Sequence, residues 1–305
     1  MGVRFDALDG EDAYLFEVAD GAKRCVLACG PASPYALNTA AAMSLARDKG
    51  FAALAFARAG VPHIPGQLFF VNSRHAAFRA PGREVEDAHA AGKTFHYPVF
   101  CKPVSGSRGD FAEVIADSAA FDDYVARVGA RHDVILVQSL IVGVEHRVIV
   151  LKGKALCAYE KTPLRVTGDG VLTLAQLVTA ARADAKPTTA SLAPPDIVRG
   201  AGGFGPQDVP AAGHAVTVLG PQNRSAGGDA KQVVTPAPPS LATVAVEAAA
   251  ALGLAFSGVD LFATPDQGVL VIEANASPAL LTLEAHGRTD LIDVIWRANL
   301  AAALA

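Results

Sequence analysis

Three oxygen-bearing side chains fall at regular positions in GVDLFATPDQGVLVIEANASP, residues 258–278. Turn residues in TPDQG separate two apolar runs, a pattern that predicts a β-hairpin. If the turn centres on the Asp-Gln pair of that sequence, Asp260 directly faces Glu273 across the hairpin. Asn275 shares the face of Glu273, because side chains alternate along a strand. The spacing therefore brings two carboxylates and a carboxamide together.

Two facing carboxylates repel each other unless they share a proton or bind a cation. A set of oxygen ligands without His or Cys favours a hard ion such as Mg²⁺, which usually keeps positions open for substrate phosphates. The hairpin thus predicts a nucleotide-metal site. An ordinary hairpin whose acids face solvent has the same spacing, so other segments have to decide between the two.

A glycine-containing loop follows a strand-like run in YPVFCKPVSGSRGD, residues 97–110. Lys102 ends the strand, and Gly106 and Gly109 lie in the loop. Glycines let backbone N–H groups approach phosphate oxygens, and a nearby lysine supplies a positive charge. The loop is not a Walker sequence, because no G-K-[ST] follows, and a simple turn is the alternative interpretation.

A strand, an irregular link and a second strand are predicted in VILVQSLIVGVEHRVIV, residues 134–150. Irregular backbone at 139–143 leaves N–H and C=O groups available, as an adenine edge requires, and Glu145 could accept hydrogen bonds from ribose hydroxyls. A crossover loop with a surface glutamate is again the alternative.

The composition of the 305 residues limits the class of protein. A formal charge of -4 with interspersed signs predicts no nucleic-acid partner, and no apolar run approaches a membrane span. Four cysteines show neither a metal-ligand spacing nor a disulfide framework. The N-terminus meets acidic residues before any apolar stretch, so we expect a cytoplasmic protein of about two domains.

Elements that could position these residues follow from the patterns. A hairpin is predicted around Asp20-Gly21, and a helix over 35–50 capped by Gly50. Strands dominate residues 97–162 with one helix among them, and helices are predicted near 240–252 and 289–304. Residues 184–240 are rich in Pro, Gly and Ala, which favours a long functional or mobile loop.

Together these segments resemble the ATP-grasp carboxylate-amine ligases over about residues 38–290. The motifs occur in the family order: D-K, K-P-x-x-G-S-x-G, Q-x-x-x-x-G-x-E-x-R, G-D-G, N-x-S-x-G-G, G-x-D and I-E-x-N-x-S-P. The nearest likeness is to the ATP-grasp portions of cyanophycin synthetase and of the fused bacterial glutathione synthetases. The resemblance implies an α+β ATP-grasp fold, in which two α+β subdomains clasp ATP after a short N-terminal α/β segment. We expect the divisions 1–92, 93–137 and 138–305, with a flexible loop at 184–235.

The resemblance also assigns residues by position. It implies ATP contacts at the phosphate lysines, the glycine loop, the adenine hinge and the ribose glutamate: Lys49, Lys102, Ser105, Gly106, Ser107, Gly109, Gln138, Ser139, Leu140, Ile141 and Glu145. It implies that two Mg²⁺ ions are held by Asp260, Glu273 and Asn275. Catalytic cations would be Arg147, Lys161 and Lys102. Substrate contacts would come from Arg147, Asn223, Arg224, Ser225, Gly227 and Gly228.

Three positions depart from the family pattern. Gln138 stands where many relatives have Glu, which keeps an acceptor near adenine. Asp110 ends the glycine loop where Lys or a small residue is usual, and phosphates would repel it unless it turns away or meets a substrate amine. Arg224 replaces an apolar residue and suggests an acidic group on the substrate.

The activity that the resemblance implies is ATP-dependent joining of a small-molecule carboxylate to an amine through an acylphosphate. A phosphotransferase on the same fold and a nucleotide-binding module without catalysis remain as alternatives. We also expect a homodimer, in which the partner completes the acceptor site.

Overall fold

The computed structural model describes residues 2–12, 14–30, 33–106, 109–183, 197–222 and 228–305. The strands of this part of the chain are β1 (Arg4–Ala7), β2 (Leu15–Asp20), β3 (Lys23–Ala28), β4 (Gly66–Phe70), β5 (Val99–Pro103), β6 (Glu113–Ile115), β7 (Val134–Ser139), β8 (Val144–Leu151), β9 (Lys154–Thr162), β10 (Arg165–Thr167), β11 (Ala215–Thr217), β12 (Asp229–Ala230), β13 (Phe256–Thr264) and β14 (Gly268–Asn275). The helices are α1 (Ala40–Arg47), α2 (Lys49–Ala59), α3 (Val85–Gly92), α4 (Ser118–Gly129), α5 (Leu174–Ala183), α6 (Pro239–Ala251), α7 (Leu281–Ala285) and α8 (Thr289–Ala303).

The first large sheet has the order β4-β7-β5-β6 and is antiparallel throughout. Its core packs α3 and α4 against the sheet through fully buried Phe121 and Tyr124. α4 begins at an Asp117 side chain that accepts from Ala120 N–H, which satisfies a free donor of the first turn. This sheet includes β4, whose residues the sequence places in the segment before 93.

The second large sheet has the order β12-β9-β8-β13-β14. α6 covers one face of it with small buried side chains such as Ala245 and Ala248, so the helix lies close to the strands. On the other side of the same sheet, Tyr35, Phe256 and Ile295 join α8 to the strands. The predicted helices near 240–252 and 289–304 are confirmed as α6 and α8.

α1 and α2 divide the stretch for which the sequence predicts one helix. Thr39 caps α1 by accepting from Ala42 N–H, and the chain leaves helical conformation at Asp48. The Asp48 carboxylate then accepts from two N–H groups at the start of α2. The prediction of a C-cap at Gly50 is therefore wrong: Gly50 lies inside the first turn of α2, where a Cβ would lie 2.9 Å from a Leu68 methyl group.

The N-terminal hairpin is confirmed, with β2 and β3 joined at Asp20-Gly21 and Gly21 at a φ of 61°. β1 pairs with β2 to complete a three-stranded sheet. Val18 and Leu27 on one face of this sheet pack against Leu300 and Leu304 at the end of the chain. The sheet is thus attached to the second large sheet through α8.

A small unit occupies much of the region for which the sequence predicts a long loop. β10 and β11 form a two-stranded sheet that packs on α5 around buried Leu174, Val178 and Val216. Residues 197–222 contain β11 and otherwise little regular secondary structure, but Val198, Val216 and Val218 are buried in this core. The expected mobility of the loop stays a prediction. Residues 184–196 and 223–227 lie outside the described part of the chain.

In the part of the chain that the structure describes, no helix is both long and apolar enough to cross a membrane.

Candidate functional site

The β13–β14 hairpin brings together the residues that the sequence places there. Asp260 pairs directly with Glu273, and Gly258 pairs with Asn275. The loop is nevertheless one residue longer than expected, because Thr264 pairs with Gly268. A bulge at Ile272 shifts the register between the loop and the acids. The predicted pairing of Asp260 with Glu273 is confirmed, but it results from a longer loop and a bulge instead of the expected two-residue turn.

Asp260 already has cationic partners within the protein. Its two oxygens accept from Arg147 Nε at 2.7 Å and from an Arg147 terminal nitrogen at 2.6 Å. Lys161 Nζ lies 2.9 Å from the same carboxylate. Asp260 is buried, so this bidentate pairing replaces the water that it loses. Arg147 and Lys161 thus relieve the repulsion between the facing acids, for which the sequence predicts a shared proton or a bound cation, so the repulsion by itself does not require a metal ion.

Glu273 is more accessible than Asp260, with 27% of its side chain exposed. Burial alone would raise the pKa of Glu273, but Lys49, Lys102 and the hydrogen bond from Asn275 outweigh it and lower the pKa to about 2. Lys49 Nζ lies 3.7 Å from its carboxylate. Glu273 is thus held ionised, as a metal ligand must be.

Asn275 turns its amide nitrogen towards both acids, 3.0 Å from Glu273 Oε1 and 3.5 Å from Asp260 Oδ2. Oxygen and nitrogen of a carboxamide are assigned from such hydrogen bonds. Rotation of the amide group by half a turn would direct its oxygen to the same point. The three side chains therefore offer an all-oxygen donor set, which fits Mg²⁺.

No group of three or more His, Cys, Asp and Glu side chains among the described residues is arranged to hold a metal. A set of two carboxylates and one carboxamide provides too few ligands to enclose an ion by itself. Such a set suits an ion that takes its remaining ligands from water and phosphate oxygens.

Glu145 and Lys161 form a buried ion pair beside Asp260, with 2.5 Å between Lys161 Nζ and Glu145 Oε1. Burial raises the pKa of Glu145 more than the attraction of Lys161 lowers it. For Lys161, burial favours the neutral amine, but attraction to Asp260 and Glu145 outweighs burial and raises the pKa. Glu145 thus binds a lysine in this structure, and its predicted contact with ribose stays a prediction.

Lys102 is buried at the end of β5 and forms no ion pair within 4.0 Å among the described residues. Burial lowers the pKa of Lys102 to about 8, although Glu273 opposes this effect. Charge inside a protein is costly without a partner, and this ammonium therefore has hydrogen-bonding capacity for a ligand.

Lys49 connects the glycine loop to the hairpin. Its Nζ donates to the Gly106 carbonyl oxygen at 3.0 Å while it lies near Glu273, and its backbone N–H donates to Val104. Lys49 is the first residue of α2, so the helix start fixes its position. Ser105 is exposed and Gly109 is half-buried, whereas Ser107 lies outside the described residues.

Gly258, the glycine of the G-x-D motif, makes room for Arg147. A Cβ at Gly258 would lie 2.9 Å from Pro278 Cβ and 3.3 Å from Arg147 Cδ. A side chain at Gly258 would therefore crowd Pro278 and the Arg147 side chain, which pairs with Asp260 from the neighbouring strand β8. The motif thus has a steric reason in this chain.

The predicted adenine hinge connects the two large sheets. Gln138 and Ser139 end β7, and Leu140 and Ile141 lie in the link to β8. The Gln138 amide donates to the Ile64 carbonyl at 2.7 Å. Ile64 belongs to a second link, since its N–H bonds to Val271 of β14 just before β4 begins. Two chain crossings therefore lie side by side at this junction.

The predicted substrate loop is described only at its end. Asn223, Arg224, Ser225 and Gly227 lie outside the described residues. Gly228 precedes β12, and a Cβ there would lie 2.3 Å from the Gln222 carbonyl oxygen and 2.8 Å from that of Thr162. Its place beside β9 requires glycine.

Sequence reasoning missed Asn38, which holds the ends of both acid-bearing strands. Its amide oxygen accepts from Ala255 and Phe256 N–H, and its amide nitrogen donates to the Phe256 and Ala276 carbonyls. Ala276 follows Asn275, so these bonds fix the backbone beside the candidate metal ligands. A lone polar residue before an alanine-rich helix gives no signal of such distant partners.

Comparison with known proteins agrees with this geometry. Residues 223–298 match the family model of the RimK-like ATP-grasp domain. The chain is similar in structure to D-alanine–D-alanine ligase from Bacillus anthracis, with a TM-score of 0.53 and 12% identity over 87% of this chain and 71% of that one. The fold is therefore the ATP-grasp fold, as the sequence predicts, and residues 223–298 are similar to the RimK-like ATP-grasp domain.

The chain is also a distant homologue of larger enzymes. It is 28% identical over 235 residues to the glutathione biosynthesis bifunctional protein GshAB of Enterococcus faecalis, covering 67% of this chain and 30% of that protein. It is 27% identical over 256 residues to cyanophycin synthetase of Geminocystis herdmanii, covering 77% of this chain and 28% of that protein. The chain thus spans less than a third of each relative and corresponds to their ATP-grasp portions.

Proposed function

We propose that this protein joins the carboxylate of one small molecule to the amine of another, with ATP converted to ADP and phosphate. The observation that carries the proposal is the cluster between the two large sheets. There, Lys49, Lys102, Arg147 and Lys161 surround Asp260, Glu273 and Glu145, and Lys102 has no described anionic partner within 4.0 Å.

The cluster carries four cations and three carboxylates, so it offers net positive charge to a triphosphate. Lys102 would bind phosphate oxygens directly. Arg147 and Lys161, now bound to Asp260, would share their remaining donors with the transferred group. Fixed charges of this kind stabilise a phosphoryl transition state without reorganisation, which is usually the largest catalytic effect.

Asp260, Glu273 and Asn275 would hold magnesium, which when bound supplies positive charge to the phosphates. Glu273 is accessible enough to reach such an ion, whereas Asp260 would exchange part of its pairing with Arg147 and Lys161 for it. We propose that two Mg²⁺ ions bind there.

The reaction we propose has two balanced steps. A substrate carboxylate oxygen attacks the γ-phosphorus, and the bond to the bridging oxygen breaks, so that ADP leaves and an acylphosphate forms. The amine nitrogen then attacks the acyl carbon, phosphate leaves with the C–O electron pair, and the nitrogen gives up a proton. Water must be kept from the acylphosphate, and the glycine loop next to Lys49 would exclude it.

The substrates we propose are amino acids or similar small molecules. The loop 223–228 would contact the acyl substrate, with Arg224 pairing an acidic group. The expected homodimer and cytoplasmic location also stay predictions; light scattering of the purified protein checks the first.

Screening pairs of amino acids and other acids for phosphate release tests the function. Hydroxylamine added with ATP and the correct acid should yield a hydroxamate. ATP binding without turnover on a broad panel would favour a nucleotide-binding module, and a stable phosphate ester would favour a phosphotransferase.

Glu273→Gln tests the metal site. We expect the melting temperature to fall, because the ionised carboxylate interacts favourably with Lys49 and Lys102. Mg²⁺-dependent turnover, measured below that melting temperature, should fall by at least about a hundredfold, the scale of a lost electrostatic contact to the transition state. Glu284→Gln, on α7 and exposed, is the matched control. Turnover equal to that of the control would remove Glu273 from the site.

A further inference from the structure

Asp110 places a carboxylate at the end of the glycine loop. The proposed function brings a triphosphate to this loop, and like charges in a partly buried site repel strongly. Something must hold this carboxylate away from the phosphates or neutralise it.

His132 contacts this carboxylate, with 2.9 Å between His132 Nε2 and Asp110 Oδ2. Both side chains are largely buried, at 15% and 17% exposure. His132 lies between α4 and β7, and its backbone N–H donates to the Val128 carbonyl at the end of α4. The backbone of His132 is therefore held at the end of α4.

The backbone beside Asp110 is turned to allow this contact. Phe111 has a φ of 48°, a conformation that residues other than glycine rarely adopt. Its carbonyl accepts from the buried Tyr124 hydroxyl at 2.9 Å, and its ring meets the His132 ring edge to face at 5.6 Å. Surroundings that fix an unfavourable conformation are typical of functional positions.

We propose that His132 is a positioning residue for nucleotide binding: it holds the Asp110 carboxylate against α4 and away from the phosphates of bound ATP. This inference depends on the nucleotide site of the proposed function. At the other end of the loop, Lys49 Nζ donates to the Gly106 carbonyl oxygen.

A double-mutant cycle on Asp110 and His132 tests the inference, with the Kd of Mg²⁺·ATP measured by calorimetry on the full chain. We expect His132→Ala to raise the Kd about tenfold, equivalent to about 1.4 kcal/mol. Asp110→Asn should change it less than about threefold. Combining the two should restore binding to within about threefold of the wild type, because the repelling charge is gone. Raising the salt concentration should also shrink the His132→Ala defect.

Restored binding in the double variant would show that His132 acts by holding the Asp110 charge and not by packing alone. If the double variant binds as weakly as His132→Ala, or if His132→Ala binds like the wild type, the inference is wrong. Should His132→Ala not fold, His132→Gln with and without Asp110→Asn supports the same comparison. Failure of the wild type to bind Mg²⁺·ATP would instead overturn the proposed function, a distinct outcome.

Discussion

Lys102 holds its charge in a buried position at a cost to the free protein. The difference between its ordinary pKa of 10.5 and about 8 corresponds to about 3 kcal/mol. Below pH 8 the folded chain bears this cost in full, since the amine is protonated in both states. As the pH rises from 8 towards 10.5, only the unfolded chain stays protonated, and the cost disappears.

Lys102→Met should therefore stabilise the protein while removing nucleotide binding. We expect the free energy of unfolding at pH 7 to rise by up to about 3 kcal/mol, with a smaller difference at pH 10. Urea unfolding at both pH values measures this. Lys154→Met, at an exposed lysine, is the control. A destabilised Lys102→Met protein at pH 7 would show that the ammonium has a partner after all.

The same pKa predicts the pH dependence of nucleotide binding. A lysine with a pKa of about 8 is charged in about one molecule in ten at pH 9, so the Kd of Mg²⁺·ATP should rise about tenfold between pH 7 and pH 9. Binding should take up protons in this range, because phosphate favours the charged amine. Calorimetry in buffers of different ionisation enthalpy detects the uptake, and its absence would contradict the role of Lys102.

At the scale of elements, the junction of the two sheets depends on two adjacent chain crossings. The Gln138 side chain joins them through its bond to the Ile64 carbonyl. Gly66 lies beside them, and a Cβ there would approach a Leu136 methyl group to 2.6 Å. Close contact of this kind holds the two crossings together.

Gln138→Met should weaken this junction selectively. Loss of the donor leaves a buried carbonyl without its partner, which costs about 1 to 3 kcal/mol. We expect faster amide hydrogen exchange at residues 64–66 and 138–144. Gln67→Met, at the exposed next residue of β4, should leave exchange unchanged. Equal exchange in the two variants would mean that the crossings are held by the backbone alone.

At the scale of the molecule, the first sheet is built from a continuous stretch of chain, while the core on the second sheet also includes residues that precede that stretch. α1 and α2 pack on β13 and β14, which follow much later in the chain, through residues such as Ala52 and Phe56. After α2 the chain thus passes from the core on the second sheet to the strands of the first sheet, and residues 140–143 lead back to the second sheet.

Mg²⁺·ATP should contact both units, and amide hydrogen exchange can detect these contacts. We expect slower exchange at residues 104–111 and 140–145 when the nucleotide is present, because ligands that bind the native state suppress local opening. The β1–β3 sheet, which packs on α8, should be unaffected and serves as an internal control. Protection confined to β1–β3 would place the nucleotide elsewhere.

The sequence alone determined those features that depend on short-range patterns. Alternation and turn residues are short-range, so they placed Asp260 opposite Glu273, the N-terminal hairpin, and α6 and α8. The order of motifs was enough to predict the ATP-grasp fold.

Only the tertiary structure decided which charges meet. The pairing of Arg147 with Asp260, the buried Glu145–Lys161 pair and the contact of Asp110 with His132 join strands, helices and loops that are separate in the chain. The core of the β10–β11 unit likewise depends on the elements that pack together in it. Local patterns cannot encode these partners, because an ion pair is fixed by the approach of whole elements and by the loss of water around them.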